Sequence, residues 1–191
     1  MARPRMFEEG RAVEAAMRAF WTSGYDGTST AELCEATGLG RSSIYNAFAS
    51  KHELFEKALA RYMEIKTGGL IETLEDTGRT VRERLRAVLE SAAEADDAEP
   101  LGCLVVNSMV EVAPRDPGIA EMLERDKRRR LDALRAAIET GMSSGEIDAG
   151  KDAAVLAEFV TATVGGIRVA ARGGAGRATL LAVAATAMDA I

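Results

Sequence analysis

Histidine occurs once, at position 52, and cysteine twice, at positions 34 and 103. Two thiols cannot build a disulfide framework, and with a single imidazole they fall short of a four-ligand zinc site. Aromatic residues make up only 5% of the 191, and the four prolines stand at positions 4, 100, 114 and 117. Sparse aromatics and long proline-free stretches argue against sheets, and no segment shows the period-two alternation of a strand. An apolar leader is also missing, since the first 20 residues carry Arg3, Arg5, Glu8, Glu9, Arg11, Glu14 and Arg18. The most apolar tract, 178–188, is shorter than the roughly 20 residues that cross a bilayer, so a cytoplasmic protein without a membrane partner is expected. No carboxylate pair, Ser-His-Asp set or metal cluster stands out. The expectation is therefore no enzymatic activity and no cofactor.

What is present favours helices. Hydrophobic residues reach 47%, enough for a substantial core. Net charge is −6, and residues 1–50 hold five Arg against six Asp and Glu, which excludes indiscriminate coating of nucleic acid. A small groove-reading surface stays possible, because local charge governs docking. Residues 7–22 place Val13, Ala16, Met17, Phe20 and Trp21 on one helical face. Ser29 and Thr30 supply caps for a short helix through Thr37, Gly38-Leu39-Gly40 turns the chain, and residues 41–48 form a third helix. Ser50 and Glu53 have capping-box spacing at the start of a fourth, which Gly68-Gly69 is expected to kink or end. Further helices are expected at 80–95, from Leu104 to Val112, and at 118–142, 152–172 and 176–190, giving an all-α fold of about nine helices.

The segment 28–50 has the spacing of a helix-turn-helix: Leu33, Leu39, Ile44 and Phe48 would hold two short helices about a glycine turn. That leaves Arg41, Ser42, Ser43, Tyr45 and Asn46 facing outward, a polar set suited to base edges and phosphates. Residues 10–55, with Phe20-Trp21, Gly24-Tyr25, "TSTAELCEATGLGRSSIYNAFASK" and the pattern Tyr45-x-x-Phe48-x-x-Lys51, closely resemble the TetR family of repressors. The resemblance implies a DNA-binding transcription regulator whose operator is palindromic. It implies phosphate contacts from Ser29, Thr30, Tyr45 and Lys51 and base contacts from Arg41, Ser42 and Asn46, with Ser43 on the same side. The family often has His before the Phe of this pattern; here Ala47 stands there.

On this basis residues 1–50 form a DNA-binding domain and 51–191 a ligand-binding and dimerisation domain. The helices at 152–172 and 176–190 are apolar on more than one face, and Gly165, Gly166, Ala170 and Ala171 would let helices approach closely, so a homodimer through this pair is expected. A small apolar or amphipathic inducer would meet Met63, Cys103, Asn107, Met109, Val110, Phe159 and Thr163. Alternatives stay open: Cys103, ahead of an apolar helix, could sense oxidants or electrophiles, or the regulator could act without a small ligand. Gly141-Met142-Ser143-Ser144-Gly145 matches a nucleophile elbow, but it follows a helix rather than a strand. The run Lys127-Arg128-Arg129-Arg130 reads as a solvated helix face, and the glycines of 165–176 lack the Lys-Ser/Thr ending of a phosphate loop.

Overall fold

The computed structural model describes residues 3–94, 100 and 102–191, with side chains from Glu9 onward. Among them are nine α-helices and no strand: α1 Arg3–Ser23, α2 Thr30–Thr37, α3 Arg41–Ala47, α4 Lys51–Glu75, α5 Val81–Ala93, α6 Leu104–Glu111, α7 Pro117–Ser144, α8 Ala153–Arg172 and α9 Arg177–Ala190. A single 3-10 turn, Ala113–Arg115, joins α6 to α7. This is the all-helical architecture that the apolar spacing predicts. Helix α3 stops one residue short of the expected end, where Phe48 turns to extended backbone.

Gly68 and Gly69 do not end α4, which continues to Glu75. Each glycine costs a helix interior about 1 kcal/mol relative to Ala. Tertiary contacts on the same stretch offset that: Leu74 is buried, Leu70 packs against the core, and the Thr67 hydroxyl donates to Asp126 at 2.7 Å.

Contacts divide the chain into two compact units, residues 1–65 with 104–123 and residues 66–103 with 124–191. Helices α4 and α7 each contribute residues to both units. In the first unit, Phe20, Leu33, Ile44, Phe48, Leu54, Phe55, Leu59 and Tyr62 are almost wholly removed from water. Burying each such side chain contributes about 1.5–3 kcal/mol. Edge-on ring pairs, Phe20 with Phe55 at 5.1 Å and Trp21 with Tyr62 at 4.8 Å, tie α1 to α4.

The second unit packs the inner faces of α5, α8 and α9 with the C-terminal half of α7. Thr80 and Glu83 form a capping box at α5, and the Asp152 carboxylate accepts the N–H groups of Ala154 and Val155 at α8. Asp126 is 4% exposed and lies 3.3 Å from Arg130. Helix α8 turns Leu156, Ala157, Val160 and Ile167 inward, while Val155, Phe159 and Val169 remain exposed.

Candidate nucleic-acid interface

The recognition surface begins with a turn. Gly24 ends α1 at φ +79, a backbone that favours glycine, and its N–H donates to the Phe20 carbonyl at 2.9 Å. The buried Thr28 hydroxyl donates to the Gly24 carbonyl at 2.6 Å and closes the turn from inside. Ser29 follows as the N-cap of α2. Its side chain accepts the Glu32 N–H at 3.2 Å while its own N–H donates to the Glu32 carboxylate at 2.6 Å. Those bonds from the Ser29 backbone and hydroxyl hold the Glu32 carboxyl below its usual range. The Ser29 hydroxyl is thus engaged in capping.

Between α2 and α3 the chain turns at Gly38, φ +69, whose N–H donates to the Glu35 carbonyl. Leu33, Ile44 and Phe48 are buried beneath the turn, so α3 is clamped on one side. Its other side faces water. Arg41, Ser42, Ser43, Tyr45 and Asn46 are all exposed, and Ser29 with them, while Thr30 and Lys51 are half-buried.

Three of these residues organise one another. The neighbouring Thr30 and Arg41 side chains hold the Tyr45 phenol below the usual value of 10.0. The Arg41 guanidinium lies 5.8 Å from the Tyr45 ring centroid. A tyrosine on α3 therefore joins the first residue of α2 to the cation at the start of α3. Separately, the Lys51 amine stands 4.5 Å over the Tyr25 ring at the start of α4. Donors from three helices are thus preset on the surface of one unit, an arrangement suited to anionic oxygens.

A second polar cluster in the same unit was not legible in the sequence. Glu111, the last residue of α6, accepts the backbone N–H groups of Tyr25 at 3.0 Å and Asp26 at 2.7 Å. Arg115 pairs with Asp26, and Asp116 lies 2.5 Å from His52 Nε2. That contact with His52, helped by the Ile119 N–H, holds the Asp116 carboxyl below its usual range. The only available signal was Gly24 before a Tyr-Asp pair, and nothing in a spacing of 86 residues points from there to Glu111.

The residues picked for a ligand pocket divide between the units. Met63 is buried in the first, whereas Met109 and Val110 on α6 are exposed, Val110 at 75%. These two do not line the interior of their unit, because α6 buries Leu104, Val105 and Ser108 instead. Asn107 is half-buried, and its Nδ2 is shielded without a hydrogen-bond partner. In the second unit Phe159 is partly exposed, and the half-buried Thr163 donates its hydroxyl to the Phe159 carbonyl. Cys103 is a buried free thiol just ahead of α6, and Cys34 is half-buried on α2. The cationic run on α7 is a paired face in part: Lys127 meets Glu158, Arg128 meets Glu124 and Arg130 meets Asp126. Helix α8 has the length and composition of a membrane span, with a mean hydropathy of 1.5 and 22% of that window buried.

A clamped two-helix turn with a polar outer face defines a helix-turn-helix regulator of transcription. Residues 12–58 match the bacterial regulatory proteins of the tetR family, and residues 81–188 match the tetracyclin repressor-like C-terminal domain. The chain belongs to the TetR family and is a DNA-binding transcriptional regulator. It is 29% identical to the HTH-type transcriptional repressor ComR of Escherichia coli over 188 residues, 97% of this chain and 90% of ComR. It is 30% identical to the uncharacterized HTH-type regulator YezE of Bacillus subtilis over 159 residues, 82% of this chain and 81% of YezE. Among solved structures, a cysteine mutant of the TetR family regulator CifR, complexed with 26-bp operator DNA, superposes with a TM-score of 0.85 at 30% identity, covering 95% of each chain.

Proposed function

We propose that the chain is a homodimeric repressor whose two α3 helices enter successive major grooves of a palindromic operator and that releases DNA when a small molecule binds. The observation that carries this reading is the exposed polar side of α3, backed by Leu33, Ile44 and Phe48. Arg41, Ser42 and Asn46 read base edges, with Arg41 donating bidentately to a guanine. Tyr45, Thr30 and Lys51 grip the phosphates on either side, with Ser43 next to them. Ser29 joins them only where its hydroxyl leaves Glu32 for a phosphate. The DNA-reading function resides in residues 1–50, and ligand binding with dimerisation in 51–191.

A single head of this size contacts too little DNA for tight operator binding. Pairing through α8 and α9 supplies the second, and the exposed apolar side chains of α8 support it. Heads about 34–36 Å apart match one helical turn of DNA. A small apolar or amphipathic ligand that binds better to another head spacing would draw the population away from the operator-competent form. The operator complex of the CifR mutant supports the DNA side of this reading.

The test is selection of duplexes from a random pool by the purified chain, followed by footprinting. The expected result is a palindrome with half-sites about 10 bp apart centre to centre. Recovery of single half-sites alone, or of no preferred sequence at low salt, would overturn the reading. Apolar compounds are then screened for those that both raise thermal stability and release the selected duplex. A regulator working without a small ligand would yield none.

A further inference from the structure

Three groups on the α6–α7 corner reach the α1–α2 turn or the start of α4 within one compact unit: Glu111, Arg115 and Asp116. Glu111 differs from the other two in what it holds. Its carboxylate takes two consecutive backbone N–H groups, those of Tyr25 and Asp26, in the turn that leads directly to the N-cap of α2. The fit is close, for a Cβ at Gly24 would stand 2.8 Å from Glu111 Oε2. Thr28 fixes the same turn from the opposite side through the Gly24 carbonyl. Ser29 and Thr30 come next in the chain, with Thr30 beside Tyr45 on α3.

From this geometry we infer that Glu111 is a positioning residue for operator binding: its carboxylate sets the α1–α2 turn and thereby the place of Thr30 and Tyr45 on the DNA. The inference rests on the DNA-reading surface proposed above. Charge-assisted bonds to backbone N–H are short and directional, and two on one carboxylate fix both the position and the orientation of the turn. Helix α2 starts four residues after Asp26, so freeing the turn lets its first turn shift relative to α3. An interface read by several donors at once loses affinity when one of them moves.

Charge alone gives the opposite sign, which makes the inference testable. Removing a carboxylate beside a DNA-binding surface should tighten every DNA complex, since phosphates are anionic. A loss of affinity therefore reports positioning. The experiment uses the isotope-labelled full chain as wild type, E111Q and E111A. Amide hydrogen exchange at Tyr25 and Asp26 should quicken at least about tenfold in E111A and by less in E111Q, where one side-chain oxygen still accepts. Exchange at Leu33 and Ile44 should stay unchanged, reporting an intact head.

Affinity is then measured for a duplex selected by the wild type and for its scrambled counterpart. E111A should lose about tenfold on the selected duplex and weaken on the scrambled one as well, since Thr30 and Tyr45 hold phosphates. Unchanged exchange at Tyr25 and Asp26 would overturn the inference, as would equal or tighter binding of E111A to both duplexes. Should the wild type select no duplex at all, the DNA-reading proposal fails on its own, and the exchange rates still decide whether Glu111 holds the turn.

Discussion

Helices α3 and α8 both leave one side facing water, and the two sides have opposite character. On α3 the exposed residues are Arg41, Ser42, Ser43, Tyr45 and Asn46, all with hydrogen-bonding groups. On α8 the exposed residues include Val155, Phe159, Ala162, Gly166 and Val169, spaced three or four apart along one stripe. A polar side is at ease in water and gains by exchanging water for phosphate and base edges. An apolar stripe forfeits about 25 cal/mol for each Å² left wet, so it is stable only when covered. The first surface suits a partner that comes and goes, the second one that stays.

A charge placed on each surface tests this contrast most strongly. Val155→Glu is expected to raise the dimer dissociation constant at least about a hundredfold, since an unpaired charge at a buried interface costs about 2–5 kcal/mol. Light scattering behind size exclusion reads the result. Ser43→Glu should leave association untouched and weaken DNA binding instead. If both variants dimerise like the wild type, α8 is not the subunit interface; if Ser43→Glu dissociates the dimer, the roles of the two surfaces are confused.

The next effect lies within the α3 surface and separates reading from gripping. Arg41→Ala should cost about 1–3 kcal/mol of discrimination at one operator position while leaving other positions alone. Tyr45→Phe keeps the ring under Arg41 but removes the hydroxyl that Thr30 and Arg41 reach. It should weaken all sequences alike by a few-fold, as should Lys51→Ala, which also lowers the salt slope by roughly one. Binding across a panel of operator variants checks both. Uniform loss in Arg41→Ala would move that cation from base readout to the phosphates.

Local signals explain what the sequence revealed. The capping residue Ser29, a turn glycine at Gly38, and apolar spacing in α1, α5 and α7 each act within a few residues, so pattern alone locates them. The clamped α3 was legible for the same reason, because Leu33, Ile44 and Phe48 sit at fixed short spacings. Gly68-Gly69 does not end α4, because a local penalty of about 1 kcal/mol per glycine is offset by tertiary contacts of Thr67, Leu70 and Leu74. Ser50 does cap α4 as expected, accepting the Glu53 N–H at 3.0 Å, but Glu53 answers to the Ala49 N–H rather than to Ser50. Met109 and Val110 were picked from the apolarity of their segment, which does not say which side of α6 turns inward. Glu111 was invisible, since its partners are backbone amides, which carry no residue-type signature.

The smallest effect separates the structural contacts of the first unit from its DNA-reading ones, and it depends on pH. His52 lies beside Asp116 and Glu56, and its contact with Asp116 is the leading cause of that carboxyl's depressed pKa. A carboxyl whose folded pKa is lowered contributes stability above its unfolded value and loses it as pH falls through the folded value. His52→Ala removes the leading cause, so the variant should be less stable than the wild type above the ordinary carboxylate range. The two should converge as acid protonates Asp116. Both partners are partly exposed, so the difference should stay below about 1 kcal/mol. Urea midpoints at pH 6.5, 5, 4 and 3 resolve it, with a gap that narrows on acidification. A gap that is constant with pH would mean that His52 supports the unit by packing against the Tyr25 ring, 6.4 Å away, rather than through Asp116.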